Sequence, residues 1–479
     1  MARVLWGGAT SASQYEGGFT DGKGLDTQDC RPYLPRTSNA TTQTRLLTQA
    51  FIDEAKDPNS QQFYPFRRGT KGYEYGLADV DLLKGLGLDI YRLSISWSRL
   101  FPTGEEEKPS PAGVAYYDAI IKKVHAAGIK IFITMNHYAI PLALVENHRG
   151  WTSRHTVERF VHFTKFLLDQ WGDLVDYWLP INEINAGYFS PYNGVSLVKP
   201  ADGDYDYNDV FLSLHHQFIA SALTIKYGRQ VGIQGTFGAM VSCFCYYPLT
   251  PSPEDNAELV HDAQINQWYC MDILAKGKYP YYAQPFFDQH GVTFEISDAD
   301  RDILAENTCD FVSFSYYSSS ICTVQENSNQ TAGNLVVTTK NPYLKASDWG
   351  WQIDPVGLRT TLHQVYDRYD KPVMISENGF GAHDELTDDH QVHDQYRIDY
   401  FKAHFDEILK AKAEGVDVRA YIAWGIIDIV SAGSCEMDKR YGVVYVDADN
   451  HGQGDYQRYC KDSYYWYRDF IAAQKQLAR

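Results

Sequence analysis

Two glutamates close apolar, strand-like runs of the sequence, and each is joined to an asparagine. The run WLPINEIN carries Asn182 and Glu183, and the run VMISENG carries Glu377 and Asn378. A carboxylate at the end of a buried strand costs free energy unless it is solvated, paired or used in chemistry. For either glutamate alone, an ordinary strand end that faces water is a sufficient explanation. Two that face each other have the arrangement that hydrolyses glycosidic bonds.

Such a pair needs two different environments, because one carboxyl must donate a proton while the other attacks as an anion. A third apolar run, IYRLSISWSR, places Arg92 on a neighbouring strand. We expect the cation of Arg92 to keep a nearby glutamate ionised. A structural salt bridge between strands would also put an arginine there, and it is compatible with this role.

A second group of chemical side chains follows the last apolar run, in AWGIIDIVSAGSCEMDKRYG from Ala423. It contains two serines, a lysine and a tyrosine at Ser431, Ser434, Lys439 and Tyr441. Hydroxyls beside a cation suit the oxygens of a phosphate group. The alternative for Lys439 is a solvated cation in a surface loop.

Eight apolar runs alternate with amphipathic helical patterns and must position these side chains. The runs are VLWGGATSAS from Val4, LDIYRLSIS from Leu88, IKIFITMNH from Ile129, VDYWLPINE from Val175, VGIQGTFG from Val231, CDFVSFSYY from Cys309, KPVMISENG from Lys371 and VRAYIAWGIID from Val418. This alternation predicts a parallel sheet covered on both faces. We predict an α/β fold with residues 1–479 forming a single (β/α)8 barrel domain, and a doubly wound sheet is the alternative.

The connections carry further expectations about the fold. Three helical patterns starting at Gly76, Pro111 and Arg154 each end at a glycine, which predicts left-handed helix caps. Two polar stretches, roughly 34–64 and 323–340, read as long loops after the first and sixth strands. Both would lie on the C-terminal face of the barrel, where active sites of this architecture are found.

Composition excludes several classes of function. A formal net charge of −18 argues against nucleic acid or an anionic membrane as a partner. No apolar run is long enough to span a membrane, and the opening MARVLWGGAT is too short for a signal peptide. The eight scattered cysteines are expected to be reduced thiols of a cytoplasmic protein. We expect the site to contain no metal and to need no cofactor. The sequence is compatible with a homo-oligomer but does not determine the oligomeric state.

The order and spacing of these motifs resemble glycoside hydrolase family 1 along nearly the whole chain. The resemblance rests on LWGGATSASQYEGG, YRLSISWSRLFPTG, MNHY, WLPINEIN, FSYY, GWQIDPVGL, VMISENG and AWGIID. Each motif is weak alone, but all of them in order at strand ends form a specific pattern. The family's hydrolysis retains the anomeric configuration, so the resemblance implies two carboxyls about 5–5.5 Å apart.

The resemblance also implies a role for each matching residue. Glu183 would be the acid/base and Glu377 the nucleophile, with the phenol of Tyr317 hydrogen-bonded to the nucleophile. Arg92 belongs to the family's second-strand motif. The residues implied to contact the sugar are Gln14 at its hydroxyls, Asn182 at the 2-hydroxyl, His137 at the 3-hydroxyl, Trp424 beneath the ring and Trp351 beside the leaving group.

Two segments depart from the family pattern. An acidic residue usually stands two positions after the histidine, where this chain has Ala139, so the support of that loop is in question. In YPFRRGTKGYEY, Arg67 and Arg68 replace the usual histidine-containing segment.

The loop after the eighth strand bears on the substrate. Relatives that act on plain glucosides carry a glutamate-tryptophan pair where this chain has Ser431 and Ala432. A glutamate at this position would repel a phosphate group, whereas the hydroxyl of Ser431 can donate a hydrogen bond to it. In this respect the sequence resembles the branch of the family that hydrolyses 6-phospho-β-glucosides, such as phosphorylated cellobiose or aryl glucosides. Ser431 or Ser434, with Lys439 and Tyr441, would bind the phosphate. The alternatives are an unphosphorylated β-glucosidase or β-galactosidase, a 6-phospho-β-galactosidase and, last, an inactive sugar-binding barrel.

Overall fold

Eight parallel strands close into a barrel at the centre of the computed structural model, which describes residues 3–35, 46–325, 330–332, 335 and 337–477. The barrel strands are, in chain order, Leu5–Ala9, Ile90–Ser94, Lys130–Asn136, Tyr177–Ile181, Thr236–Pro248, Phe311–Cys322, Val373–Asn378 and Val418–Trp424. Each strand pairs with the next, and the eighth pairs with the first. The predicted (β/α)8 architecture is therefore confirmed.

Helices fill every connection between the barrel strands and cover the barrel from outside. The longer ones are Gln49–Lys56, Gly72–Leu86, Pro111–Ala126, Leu142–His148, Arg154–Trp171, Tyr207–Val231, Pro253–Ala263, Tyr269–Lys276, Ala283–His290, Asp298–Glu306, Pro355–Tyr369, Gln395–Ala413 and Asp462–Leu477. The short ones are Ala12–Tyr15, Pro65–Arg68, Trp97–Leu100, Ala186–Phe189, Pro191–Val195, a 3₁₀ turn at Gly150–Thr152 and a π turn at Gln264–Trp268. No helix among the described residues is both long and apolar enough to cross a membrane.

Local chemistry accounts for the ends of several helices, though not always as predicted. Gly87 ends Gly72–Leu86 with φ of 75°, and Gly128 takes a φ of 73° one residue beyond the cap of Pro111–Ala126. The expected left-handed cap at Gly172 is wrong, because this residue keeps a right-handed φ of −56°. Its amide still donates to the Leu168 carbonyl, so the helical hydrogen-bond pattern continues through the cap.

Three other expectations about element boundaries need correction. The run from Val231 is not yet strand: Val231 ends the helix Tyr207–Val231, and the fifth strand begins at Thr236. The polar stretch 34–64, part of which lies outside the described residues, contains the helix Gln49–Lys56, started by the Thr48 hydroxyl. The stretch 323–340 contains short paired strands at Gln330–Ala332 and Val337–Thr339, which extend the edge of the sixth strand.

Strand register brings the predicted chemical residues to one end of the barrel. Arg92 lies opposite Ala9 on one side and Phe132 on the other. Glu377 lies opposite Ser315, next to an irregularity in the pairing of the sixth and seventh strands. Such an irregularity turns side chains away from the regular alternation. Because all the strands are parallel, their C-terminal ends share one mouth.

Candidate active site

A cavity opens at the C-terminal mouth of the barrel and gathers most of the predicted residues; we call it the mouth cavity. Its lining consists of Gln14, His137, Tyr138, Glu183, Tyr317, Leu335, Trp351, Glu377, Trp424, Ala432, Gly433, Lys439 and Tyr441. Four predicted residues, Arg92, Asn182, Ser431 and Ser434, do not line it. Arg92, Asn182 and Ser431 are hydrogen-bonded to the lining residues Glu377, His137 and Tyr441, respectively. Ser434 directly follows the lining residue Gly433 in the chain.

Glu377, on the seventh strand, is held by one cation and one phenol. Its Oε1 accepts a hydrogen bond of 2.7 Å from Nη1 of Arg92, and its Oε2 accepts one of 2.7 Å from the Tyr317 hydroxyl. The side chain is only 2% exposed. Burial raises the pKa of Glu377, and Arg92 and Tyr317 oppose that rise because both stabilise the anion.

Arg92 itself is fixed in orientation by three elements of the barrel. Its Nε donates to the Thr134 hydroxyl at 2.9 Å, Nη1 also donates to the Ser376 carbonyl at 3.0 Å, and Nη2 donates to the Oδ1 of Asn182. A guanidinium is planar, so these contacts leave it one orientation. The guanidinium is therefore held in the orientation that contacts Glu377.

Glu183 lies just beyond the end of the fourth strand, where two side-chain hydroxyls reach its carboxyl group. The hydroxyls of Tyr138 and Ser315 contact its two oxygens. Burial, followed by the charge of Glu377, raises the pKa of Glu183 to about 7. Ionised Glu377 therefore keeps Glu183 protonated to higher pH. In the protonated state, one hydroxyl oxygen can accept from Glu183 instead of donating to it.

The wall that would face a sugar ring is built from an imidazole, an indole and an amide. The His137 ring stacks on Trp424 with a centroid separation of 5.3 Å and an interplanar angle of 16°. Burial and the Arg92 charge lower the pKa of His137 well below its usual value, so the ring is neutral. Gln14 donates to the Val430 carbonyl at 2.7 Å and accepts from the Ser11 hydroxyl at 2.6 Å, which fixes its amide.

Lys439 lines the mouth cavity and is surrounded by aromatic rings. Its Nζ is 4.0 Å from the centroid of Trp351 and 5.6 Å from that of Tyr441. The Tyr441 hydroxyl is 3.2 Å from the Ser431 hydroxyl, so the serine is coupled to the lining through the phenol. A side chain at Gly381 would place its Cβ 2.4 Å from Cγ of Lys439, so this glycine leaves room for the lysine stem.

Ser434 differs from Ser431 in its surroundings. Its hydroxyl oxygen is buried and makes no hydrogen bond within the described part of the chain. It does not line the mouth cavity. Of the two serines left open by the sequence, Ser431 is thus the one connected to Tyr441.

The sequence analysis missed two residues that contact Glu183, namely Tyr138 and Ser315. A signal for Ser315 exists, since it stands two residues before Tyr317 on one strand and so shares its face. Tyr138 follows His137 directly, and its φ of 70° turns its side chain toward the cavity in a way that no regular periodicity predicts.

The two departures from the family pattern have structural accounts. The loop at Ala139 is supported by Asn136, whose side-chain amide donates to the Ala139 carbonyl at 2.9 Å. Arg67 donates to the carbonyls of Asp29 and Ala55, and its guanidinium lies 3.9 Å from the centroid of the Tyr64 ring. Arg68 donates to the Gly452 carbonyl at 2.8 Å. Both arginines thus tie the short helix Pro65–Arg68 to backbone carbonyls of other segments.

Two buried carboxyls at the mouth of a (β/α)8 barrel are the arrangement that glycoside hydrolases use, and comparison with known proteins shows that class. The chain belongs to glycosyl hydrolase family 1, whose model matches residues 2–476. It is 38% identical to an aryl-phospho-β-D-glucosidase of Bacillus subtilis, covering 98% of this chain and 96% of that one. It is also 38% identical to a 6-phospho-β-glucosidase of Escherichia coli, with 98% and 97% covered.

A solved structure with a similar fold is the family 1 β-glucosidase from Thermotoga maritima. It has a TM-score of 0.81 and 27% sequence identity, and the match covers 98% of this chain and 97% of that one.

Proposed function

We propose that the protein hydrolyses 6-phospho-β-D-glucosides with retention of the anomeric configuration. The observation that carries the proposal is the position of Lys439, which lines the same cavity as Glu183 and Glu377. The relatives from Bacillus subtilis and Escherichia coli, both named for phosphorylated glucosides, support it over 98% of the chain.

In the first step, Glu377 attacks the anomeric carbon as a carboxylate while Glu183 gives its proton to the departing glycosidic oxygen. The assignment follows from the partners: Arg92 stabilises the anion of Glu377, whereas Glu183 has a pKa raised to about 7. Loss of the aglycone leaves a covalent glycosyl ester on Glu377. Glu183, now ionised, then takes a proton from water as the water oxygen attacks the anomeric carbon. The bond from that carbon to Glu377 breaks, which releases the sugar and restores Glu377 as a carboxylate.

The sugar is oriented by the groups along the stacked wall. Trp424 offers an apolar face to the ring, and His137 and Gln14 offer polar atoms to its hydroxyls. Asn182 lies behind Glu183, with its Nδ2 3.4 Å from Nε2 of His137. Trp351, which contacts Tyr317 edge-on at 5.1 Å, would lie beside the leaving group.

The 6-phosphate would bind where the cation and hydroxyls of the eighth-strand loop meet. Lys439 supplies charge, and the phenol of Tyr441 and the hydroxyl of Ser431 supply hydrogen bonds. Ala432 and Gly433 line the cavity beside them without carboxylates, so no fixed negative charge from these positions opposes a phosphate.

The test is the ratio of kcat/KM for p-nitrophenyl β-glucoside 6-phosphate to that for the plain glucoside, measured on the parent protein and on Lys439→Ala. We expect the parent to prefer the phosphate strongly. Loss of a charge-assisted bond worth about 1.5–3 kcal/mol should cut kcat/KM for the phosphate by roughly 10- to 150-fold in the variant. The plain glucoside should be little affected.

Lys122→Ala is the matched control, since Lys122 is exposed, pairs with Asp118 on the helix Pro111–Ala126 and does not line the mouth cavity. A parent that prefers the plain glucoside would overturn the phosphate assignment and leave the glutamate mechanism intact. Preference for p-nitrophenyl β-galactoside 6-phosphate would move the assignment to the galacto series.

A further inference from the structure

Two histidines and a glutamate converge on the outside of the barrel, away from the mouth cavity. Glu105 lies between the helices Trp97–Leu100 and Pro111–Ala126, His148 ends the helix Leu142–His148, and His155 lies in the first turn of Arg154–Trp171. Nε2 of His148 is 3.0 Å from Oε1 of Glu105, and Nε2 of His155 is 2.8 Å from the same oxygen. The two imidazole centroids are only 4.1 Å apart.

The spacing of the three donor atoms fits one small metal ion. All of them lie within 4.8 Å of one another, and this is the one group of three such ligands found among the described residues. Zinc–nitrogen bonds of about 2.0–2.1 Å in a tetrahedron put neighbouring ligand atoms about 3.3 Å apart. The observed separations from Glu105 are close to that value, so small side-chain movements would admit the ion.

The ligand set also has the right chemistry and access. Two imidazoles and one carboxylate are ligands that Zn²⁺ prefers, and they leave a fourth position for water. The three side chains are 33–36% exposed, so an ion can enter from solvent. None of them lines the mouth cavity.

One neighbouring cation, Arg159, has to be accommodated. Its guanidinium is bound elsewhere, since Nε donates to the Gly104 carbonyl at 2.8 Å and Nη2 donates to the Glu106 carbonyl at 2.6 Å. Its distance of 3.7 Å to Glu105 Oε2 is longer than a hydrogen bond. Arg159 thus leaves Glu105 Oε1, the oxygen shared by both histidines, accessible to a metal.

We propose that Glu105, His148 and His155 form a Zn²⁺ site. The ion would tie the connection after the second strand to the two helices that follow the third, and it would take no part in glycoside hydrolysis. An internal comparison sharpens the proposal: His363 is 2.7 Å from Glu414, with Arg359 nearby, but that pair has no second histidine among the described residues.

The experiment is calorimetric titration of untagged, metal-free protein with Zn²⁺, on the parent and on His148→Ala, His155→Ala, Glu105→Gln and His363→Ala. We expect one site in the parent and in His363→Ala, weakened roughly tenfold or more in the other three variants. Cys460→Ser checks the one cysteine that is not fully buried, and it should leave the site unchanged.

A second readout protects the test against misfolding. Zn²⁺ should raise the Tm of the parent and of His363→Ala, because a ligand that binds only the native state stabilises it. It should not raise the Tm of folded Glu105→Gln, a variant that keeps the side-chain shape. Absence of binding in the parent, or equal binding in His148→Ala, His155→Ala and the parent, would overturn the proposal. Without Zn²⁺, the folded variants of the three ligands should hydrolyse the glucoside substrate as fast as the parent does.

Discussion

The two glutamates of the mouth cavity are equally buried but have different partners. Glu183 is 1% exposed and Glu377 is 2% exposed, so burial penalises the charge of both. Glu377 contacts a guanidinium and a phenol, whereas Glu183 contacts two neutral hydroxyls. Depth of burial therefore does not distinguish the proposed acid from the proposed nucleophile. The kind of hydrogen-bond donor does.

The protonation states of the two glutamates also depend on each other. Ionised Glu377 contributes to the raised pKa of Glu183, while Arg92 lowers it. Once the ester forms on Glu377, its negative charge disappears and the pKa of Glu183 should fall. A group that has just given up its proton is then well suited to act as a base, as retaining hydrolysis requires.

The largest expected effect comes from Glu377→Gln, which removes the nucleophile while keeping the shape. We expect kcat to fall by roughly 10⁴-fold or more, because a nucleophile acts as a unit with the rest of the site. Steady-state hydrolysis of the phosphorylated p-nitrophenyl glucoside measures it, with circular dichroism as the check on folding. Residual activity above a few per cent of the parent would rule out Glu377 as the nucleophile.

Glu183→Gln should have a smaller effect that depends on the leaving group. Proton donation typically contributes about 10²–10⁴-fold, and a good leaving group needs it least. We therefore expect kcat/KM to fall steeply for a phosphorylated disaccharide and only slightly for a dinitrophenyl glucoside 6-phosphate. Equal losses on both substrates would count against the acid role and erase the functional difference between the two glutamates.

The smallest effect is a matched pair of pH shifts from Tyr317→Phe and Tyr138→Phe. Each phenol lowers the pKa of the glutamate it contacts, so its removal raises that pKa. The proposed mechanism needs ionised Glu377 and protonated Glu183. Tyr317→Phe should therefore move the acid limb of kcat/KM to higher pH, and Tyr138→Phe should move the basic limb, near pH 7 in the parent, to higher pH.

Loss of one hydrogen bond corresponds to a shift of about one pH unit at most. The substrate phosphate titrates in the same range, with a pKa of about 6, so each variant must be compared with the parent on one substrate. If Tyr317→Phe moved the basic limb, or Tyr138→Phe the acid limb, the assignment of the two carboxyls would have to be exchanged.

Much of the fold was predictable because its signals are local. Apolar runs with strand length mark the barrel strands, and glycines such as Gly87 mark helix ends. The fifth strand was placed too early, since apolar residues around Val231 belong to the end of a helix, and short apolar runs do not distinguish the two states. The cap at Gly172 failed because glycine permits a left-handed conformation without requiring it.

The site was predictable only in part, because some of its residues stand in local motifs while others are brought together only by packing. Glu183, Glu377 and Lys439 stand in motifs that can be read along the chain, and the structure gathers them in one cavity. Ser431 and Ser434 are alike in sequence, and only packing connects the first to Tyr441. The histidine pair at His148 and His155 gives no motif with Glu105, more than forty positions away along the chain.

By itself, the sequence determined the eight barrel strands, apart from where the fifth begins, together with the motifs at their ends and the family. Tertiary structure alone decided which glutamate meets the cation of Arg92 and which meets the hydroxyls of Tyr138 and Ser315. The physical reason is that strand propensity and motif spacing depend on neighbouring residues, whereas the pKa of a buried carboxyl depends on atoms brought within a few ångströms by closure of the barrel.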